Sequence, residues 1–195
     1  MKKNDLKETI NNSIIAKKSL LDIEDKINRA IDIISEKLSI GGKILLCGNG
    51  GSAADAQHLA AEFLVRFDEN FNRPPIPAIS LCMDTSTITA CSNDYSSNKL
   101  FSRNLEALGS TNDILIVIST SGNSKNILEV LKTAKKKKIF SIGLFGRGGG
   151  KAKKNTNLSL IVKSNVVARI QEAHIFLGHY ITEKVEKKLV NFKNK

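Results

Sequence analysis

The chain has 195 residues, 41% of them apolar, and its 30 basic side chains outnumber 19 acidic ones, which gives a net charge of +11. This length suits one domain with a sizeable core. No apolar run approaches the ~20 residues that cross a bilayer, and no signal-peptide pattern opens the sequence, so we expect a cytoplasmic protein without a membrane partner.

The basic residues do not form the pattern of a nucleic-acid interface. The lysines are scattered or stand in short runs such as 135–138, and no aromatic residues interleave with them as a stacking surface would require. We therefore expect no nucleic-acid partner, and we attribute the charge to solvated faces that also attract an anionic substrate.

The N-terminal residues predict a long helical segment. Apolar residues recur at helical spacing from Lys7 to Leu38, which predicts one long helix or two in sequence, and Gly41 and Gly42 then end the pattern. No linker or internal repeat is evident. The prediction is a single domain over residues 1–195, with a helical segment at 1–40 and an α/β core at 41–195.

The core alternates short apolar strands with amphipathic helices. Strands are predicted at 43–47, 77–81, 113–118, 139–144 and 158–162, and helices at 52–65, 85–90, 99–108, 124–137 and from 168 onwards. This alternation indicates an α/β fold, a doubly wound five-stranded parallel sheet flanked by helices. Ligands bind such sheets beyond the carboxyl ends of the strands, where glycine- or serine-rich loops follow here at 48–52, 119–124 and 146–150.

The loop Ser-Thr-Ser-Gly-Asn-Ser at 119–124 joins a buried strand to a helix. Backbone N–H groups and the helix dipole favour an anion at such a turn, and hydroxyls can donate to phosphate oxygens without adding positive charge. This predicts binding of a phosphorylated metabolite. The alternative is an ordinary turn in which a hydroxyl caps the helix.

The loop Gly-Asn-Gly-Gly-Ser at 48–52 matches neither the G-x-G-x-x-G pattern nor a Walker loop, which disfavours a dinucleotide site. Its glycines allow the backbone to approach a ligand closely, and Asn49 and Ser52 offer polar contacts. Ser52 with Asp55 also predicts a capping box at the start of the following helix.

Three further polar features carry possible chemistry. His58 and Glu62 stand at i and i+4 on one helix face, where they could hold a metal or share a proton, although such a pair alone is usually surface decoration. Gln171 and His179 lie about 80° apart around a helix and ~12 Å apart along it, so one small centre would need long side-chain reach or neighbouring subunits. Asn93-Asp94 could bind substrate hydroxyls or form an Asx-turn.

These stretches occur together and in order: CGNGGSAADAQHLAAEF, the ND pair, ISTSGNS and ARIQEAHIFLGH. In this combination the chain resembles the SIS (sugar isomerase) domain family, and within it the bacterial phosphoheptose isomerases. The resemblance implies interconversion of sedoheptulose 7-phosphate and D-glycero-D-manno-heptose 7-phosphate, the first step towards the nucleotide-activated heptose of lipopolysaccharide and related glycans.

The resemblance also implies roles for individual residues. It makes Glu62 and His179 the catalytic acid–base pair, which would move a proton between C1 and C2 through an enediol(ate). The implied phosphate clamp is Ser119, Thr120, Ser121 and Ser124. The other implied substrate contacts are Asn49, Gly50, Gly51, Ser52, Glu62, Asn93, Asp94 and Gln171.

A metal and an assembly follow from the same resemblance. It implies one zinc ion per subunit, with His58, Glu62, Gln171 and His179 as ligands. Glu62 cannot easily be both a tight ligand and a free base, so we favour its acid–base role. Family members are homotetramers with active sites between subunits, and the N-terminal segment is expected to take part in that assembly.

Two other functions compete with this interpretation. A non-catalytic SIS scaffold binds the replication initiator DnaA, but it lacks the acidic residue and the second histidine of the catalytic pair, which this chain has as Glu62 and His179. An isomerase of another sugar phosphate would use the same residue types, so only the family resemblance separates it. We therefore expect an aldose–ketose isomerase acting on a phosphorylated heptose.

Overall fold

A five-stranded parallel sheet forms the centre of the computed structural model, which describes residues 5–82 and 84–193. Its strands are β1 (Ile44–Gly48), β2 (Ala78–Ser80), β3 (Ile114–Ser119), β4 (Phe140–Phe145) and β5 (Leu158–Ile161). Each predicted strand lies within one residue of the observed one at both ends. The predicted fold class is confirmed.

The strand order is β2-β1-β3-β4-β5, and β1 pairs with both β2 and β3, so Ile44 stands opposite Ala78 on one side and Ile114 on the other. Every residue of β1 and β3 is buried, as in a parallel sheet that is covered on both faces. The chain therefore winds first to one side of β1 and then to the other. The carboxyl ends of β1 and β3 flank the point where the direction reverses, which is where such sheets bind ligands.

Seven α-helices surround the sheet in the part of the chain that the structure describes. They are α1 (Asp5–Lys18), α2 (Glu24–Ser39), α3 (Gly51–Leu64), α4 (Thr85–Asp94), α5 (Leu100–Leu108), α6 (Lys125–Lys136) and α7 (Val167–Lys193). Helices α1, α2 and α3 pack on α7, and α5 packs on α6. None of the helices described is both long and apolar enough to cross a membrane.

The predicted N-terminal helical segment is present as two helices. The break follows Lys18, and a short 3-10 helix at Leu21–Ile23 leads into α2. Ser19 stabilises the break, because its hydroxyl donates to the carbonyl of Ala16 and accepts the backbone N–H of Lys163. The hydroxyl therefore ties the end of α1 to the residues that follow β5.

Two local predictions are wrong. Ser52 does not cap α3, because Gly50 (φ +56°) turns the chain into the helix earlier, and Ser52 lies in the first turn with its backbone N–H bonded to Asn49. This φ is one that glycine adopts readily and a side chain would disfavour. Helix α4, predicted to end at residue 90, continues to Asp94, so Asn93 and Asp94 form its last turn rather than a polar loop.

Candidate active site

The crevice between β1 and β3 is bordered by the loop at 48–52 and the loop at 119–124. Asn49 in the first loop and Asn126 in the first turn of α6 exchange two side-chain hydrogen bonds, at 2.9 and 2.8 Å. These paired amides join the two loops across the crevice. They also engage one donor and one acceptor of Asn49, which leaves its second N–H and the outer lone pair of its oxygen for a ligand.

The loop at 48–52 brings bare backbone to the crevice. Gly50 has open space around it, so a ligand can approach its peptide closely. A side chain at Gly51 would collide with the amide nitrogen of Gln171, at 2.4 Å from the Cβ position. Ser52 is buried, with 3% of its surface exposed. The fold thus places Gln171 against the predicted substrate contacts Gly50 and Gly51.

The loop at 119–124 is shaped by its own hydroxyls. Ser119 Oγ accepts the backbone N–H of Gly122 at 3.1 Å, and Ser121 Oγ accepts that of Asn123 at 3.2 Å. Ser124 is the N-cap residue of α6, but its side chain makes no capping bond. Thr120 is half-buried beside them. The hydroxyl hydrogens of Ser121 and Ser124 are therefore available to an anion at the helix N-terminus.

The glycine loop at 146–150 packs against the loop at 119–124. Gly122 (φ +62°) approaches Gly149 so closely that a Cβ would lie 2.0 Å from its carbonyl oxygen. The backbone N–H of Lys151 donates to Asn123 Oδ1 at 3.0 Å, and that of Ala152 donates to the Gly122 carbonyl at 2.9 Å. These contacts fix the geometry of the serine-rich turn.

A second cluster joins α3 to α7. His58 Nε2 lies 2.8 Å from His179 Nε2 and 3.4 Å from Glu62 Oε1, and one ligand atom from each of the three residues falls within 4.8 Å of the others. Both catalytic candidates and three of the four predicted metal ligands therefore meet at one point, and Gln171 lies outside it. The ring of Phe67 also contacts that of His179, with centroids 5.3 Å apart.

The electrostatics of this cluster favour neutral imidazole at His179. Burial lowers the pKa of His179, and nearby His58 lowers it further, while Glu62 opposes both effects. Burial also raises the pKa of Asp55, one turn before His58, and Asp55 Oδ2 has no hydrogen-bond partner within the described chain. A neutral imidazole can act as a base or as a metal ligand.

The donor set of the cluster suits zinc. Two imidazole nitrogens and a carboxylate oxygen are ligands that zinc takes in proteins, and three protein ligands leave a fourth position for water or substrate. The 2.8 Å between the two ring nitrogens is a hydrogen-bond distance, at which the two imidazoles share a proton, whereas a tetrahedral zinc would hold them about 3.3 Å apart. His58, Glu62 and His179 thus have the chemistry that zinc requires, with ligand atoms within 4.8 Å of one another.

The remaining predicted residues are distributed differently. Asn93 donates to Asp94 at 2.8 Å, both side chains are exposed, and neither hydrogen bonds to another predicted site residue in the described ranges. His174, between Gln171 and His179, is fully buried and stands apart from the cluster. Burial lowers the pKa of His174 to about 4, against the weaker opposing effect of the Phe145 backbone.

Three residues near the site were not predicted from the sequence. Asn126 pairs with Asn49 across 77 residues of sequence, and Arg73 forms a buried ion pair with Glu186 across 113 residues. Asn126 follows the ISTSGNS stretch closely, so its position beside the loop at 119–124 was a possible signal. Arg73 and Glu186 lie outside every recognisable motif, so only the three-dimensional structure brings them to attention.

Comparison with known proteins finds one matching domain family and several similar proteins. The SIS domain profile matches residues 12–146. A phosphoheptose isomerase of Campylobacter concisus is 50% identical over 157 residues, which cover 80% of this chain and 82% of that protein. One from Clostridium acetobutylicum is 45% identical over 190 residues and 96% of each chain.

Solved structures agree with these sequence matches. The phosphoheptose isomerase of Neisseria gonorrhoeae superposes with a TM-score of 0.88 at 38% identity, covering 96% of this chain and all of that one. The enzyme of Francisella tularensis superposes with a TM-score of 0.90 at 35% identity, covering 96% and 99%. The similarity therefore extends over nearly the whole length of both structures.

Proposed function

Since the chain belongs to the SIS domain family, as a phosphoheptose isomerase, we propose that His58, Glu62 and His179 form the centre at which it isomerises sedoheptulose 7-phosphate. The observation that carries this proposal is the meeting of His58 and Glu62 on α3 with His179 on α7, at 2.8 and 3.4 Å. The relatives named above are isomerases, in agreement with the activity expected from the sequence.

In this proposal Glu62 is the base of the proton transfer. Its carboxylate takes a proton from C1 of the ketose, which gives an enediolate, and returns the proton at C2, which gives the aldose. His179 moves the accompanying proton between the two oxygens, because its lowered pKa favours the neutral imidazole that can accept and release it. No atom is gained or lost.

We propose one zinc ion per subunit, held by His58, Glu62 and His179, with Gln171 as a fourth candidate ligand. The support is the close grouping of the first three side chains. Zinc, when bound, would supply a Lewis acid that polarises the oxygens of the substrate. The structure places Gln171 at Gly51, so its role as a ligand stays a prediction.

The phosphate of the substrate is proposed to bind at 119–124, through Ser119, Thr120, Ser121 and Ser124. Support comes from the strand-to-helix position of this loop and from the hydroxyls of Ser121 and Ser124, which make no bond that uses their hydrogens in the described chain. Asn49 and the backbone of Gly50 and Gly51 would contact the sugar. The family resemblance implies that Asn93 and Asp94 contact it as well.

We also propose a homotetramer in which neighbouring subunits complete each site. Glu62 lies three helical turns after Gly51, about 16 Å along α3. A phosphorylated heptose spans only about 10 Å, with C–C bonds of about 1.5 Å, so Gly51 and Glu62 of one subunit would not contact the same substrate molecule. Exposed apolar residues of α1, with Leu6 72% and Ile15 62% exposed, support a role of the segment 1–40 in assembly.

The test is turnover of sedoheptulose 7-phosphate by protein of defined zinc content, with the aldoheptose 7-phosphate product followed by NMR. Glu62→Gln and His179→Gln should each remain folded and lose turnover by roughly 10²–10⁴-fold, the usual contribution of a general acid or base. Glu36→Gln, an exposed carboxylate on α2, serves as the matched control. Near-normal turnover in either site variant removes that residue from the mechanism.

A further inference from the structure

Arg73 and Glu186 form an ion pair that water barely reaches. Their side chains are 1% and 0% exposed, and Arg73 Nε donates to Glu186 Oε1 at 2.5 Å. Burying two charges carries a desolvation cost that the pair itself often fails to recover, so apolar residues would commonly serve stability as well. What the pair does provide is a fixed geometry between the groups that it joins.

Each partner also holds the backbone of another segment. Glu186 accepts the N–H groups of Phe67 and Asp68, at 3.3 and 3.4 Å. Arg73 Nη2 donates to the carbonyl of Glu62 at 2.9 Å, and its Nη1 donates to the carbonyl of Pro74 at 3.0 Å. The pair thus joins the last turn of α3, the loop that follows it, and α7.

The segments that the pair joins are those that carry the isomerase cluster. Arg73 bonds the peptide of Glu62 itself. Glu186 follows His179 by seven residues, nearly two helical turns, so both side chains lie on one face of α7. Glu186 also fixes the backbone of Phe67, whose ring packs against that of His179. The network therefore contacts the cluster from both helices.

We propose that Arg73 and Glu186 are positioning residues of the isomerase: their buried ion pair sets the separation between Glu62 on α3 and His179 on α7. This inference rests on the proposed function of Glu62 and His179. The pair touches neither substrate nor metal. It acts through the Glu62 peptide and through Phe67, and outer-shell groups of this kind typically contribute roughly 10–100-fold to metal affinity or activity.

Two variants separate positioning from simple structural support. Arg73→Lys keeps the charge but cannot make the bonds to the Glu62 and Pro74 carbonyls together with that to Glu186. The double variant Arg73→Met, Glu186→Met replaces both charges by apolar side chains, an exchange that buried pairs often tolerate in stability. Asp113→Asn is the matched control. Its carboxylate, 1% exposed, bonds Lys43 just before the first residues of β1 and β3. These are the amino ends of the strands, far from the cluster.

The measurements are the melting temperature, kcat and KM separately, and the affinity for Zn²⁺ alone by competition with a chromophoric chelator. At temperatures where each protein is fully folded, we expect both Arg73 variants to lose roughly tenfold or more in kcat and in Zn²⁺ affinity. KM should stay within about twofold, because the phosphate loop is untouched. Asp113→Asn should lose stability while its kcat and Zn²⁺ affinity stay at parental values.

Parental kcat and Zn²⁺ affinity in folded Arg73→Lys, or in the folded double variant, would overturn the inference. Equal losses in Asp113→Asn would also overturn it, because they would show a general effect of destabilisation. Glu62→Gln and His179→Gln are measured alongside. If these two keep turnover, the proposed function fails; if they lose it while Arg73→Lys does not, only the positioning inference fails.

Discussion

Ser121 shows how a hydroxyl in a turn can serve an anion. Its Oγ accepts the N–H of Asn123 at 3.2 Å, and its own hydrogen stays free to point towards a phosphate. We expect Ser121→Ala to raise KM for the sugar phosphate roughly tenfold with little change in kcat, because a hydrogen bond to a charged group contributes about 1–3 kcal/mol. Steady-state kinetics measure both constants.

The control for this prediction is Ser39→Ala, which removes a hydroxyl at the end of α2 that bonds only the carbonyl of Glu36 in the described chain. Its kinetic constants should match those of the parent. An unchanged KM in Ser121→Ala, with the protein folded, would place the phosphate elsewhere.

Residues were predictable from the sequence where their partners are local. The i, i+4 spacing alone places His58 and Glu62 together, as the structure confirms at 3.4 Å. The sequence pattern marked His179 as a possible ligand, but only the family resemblance paired it with Glu62, because the cluster joins residues 121 positions apart. Arg73 and Glu186 were not predicted for the same reason, because no local sequence pattern indicates a partner 113 residues away.

At the scale of elements, α3 and α7 provide the framework of the cluster. Gly178 lets α7 approach α3 so closely that a Cβ there would lie 2.5 Å from Leu59. Gln171 meets Gly51, and His179 meets His58. These contacts are eight residues apart on α7 and seven on α3, so the two helices run side by side in the same direction. Gln171 and His179 therefore contact α3 at two points about two helical turns apart, in keeping with their ~12 Å separation along α7.

Strands were easier to predict than the ends of helices. Apolar runs bounded by glycine and polar residues predict all five strands to within one residue, because the central strands are buried on both faces and are therefore almost entirely apolar. The start of α3 depends instead on the backbone conformation of Gly50, and the end of α4 depends on packing against neighbouring helices. The sequence around Ser52 and Asn93 therefore does not predict where α3 begins or where α4 ends.

For the whole molecule, the exposed apolar side chains of α1 bear on assembly. If the proposed tetramer buries α1, we expect Ile15→Glu to shift the protein to smaller species, because a charge would have to be buried in the interface. Turnover should fall with the loss of tetramers if subunits share active sites. Light scattering coupled to size-exclusion chromatography gives the mass, and the assay above gives turnover.

Asn11→Glu, an exposed polar position on the same helix, is the matched control and should remain tetrameric with parental activity. A tetramer of unchanged stability in Ile15→Glu would show that α1 lies outside the interface. The cytoplasmic location and the division of the chain at residue 40 stay predictions.

His174 links the stability of the molecule to acid. Its ring is fully buried without a well-formed hydrogen bond in the described ranges, and burial lowers its pKa from the ordinary 6.5 to about 4. Below pH 6.5 His174 is protonated in the unfolded chain but stays neutral in the folded one. The free energy of unfolding therefore falls as the pH drops from 6.5 to 4. Between pH 7 and pH 5 this amounts to about 2 kcal/mol.

Denaturant unfolding of the parent and of His174→Leu at both pH values isolates this effect, because the other titrating groups are common to the two proteins. The loss of stability from pH 7 to pH 5 should be about 2 kcal/mol smaller in His174→Leu. Equal losses would mean that the folded protein admits a proton at His174. If the losses differ as expected, a single side chain in the interior contributes to the lower pH limit of the fold, and an uncharged replacement there would extend the pH range in which the protein stays folded.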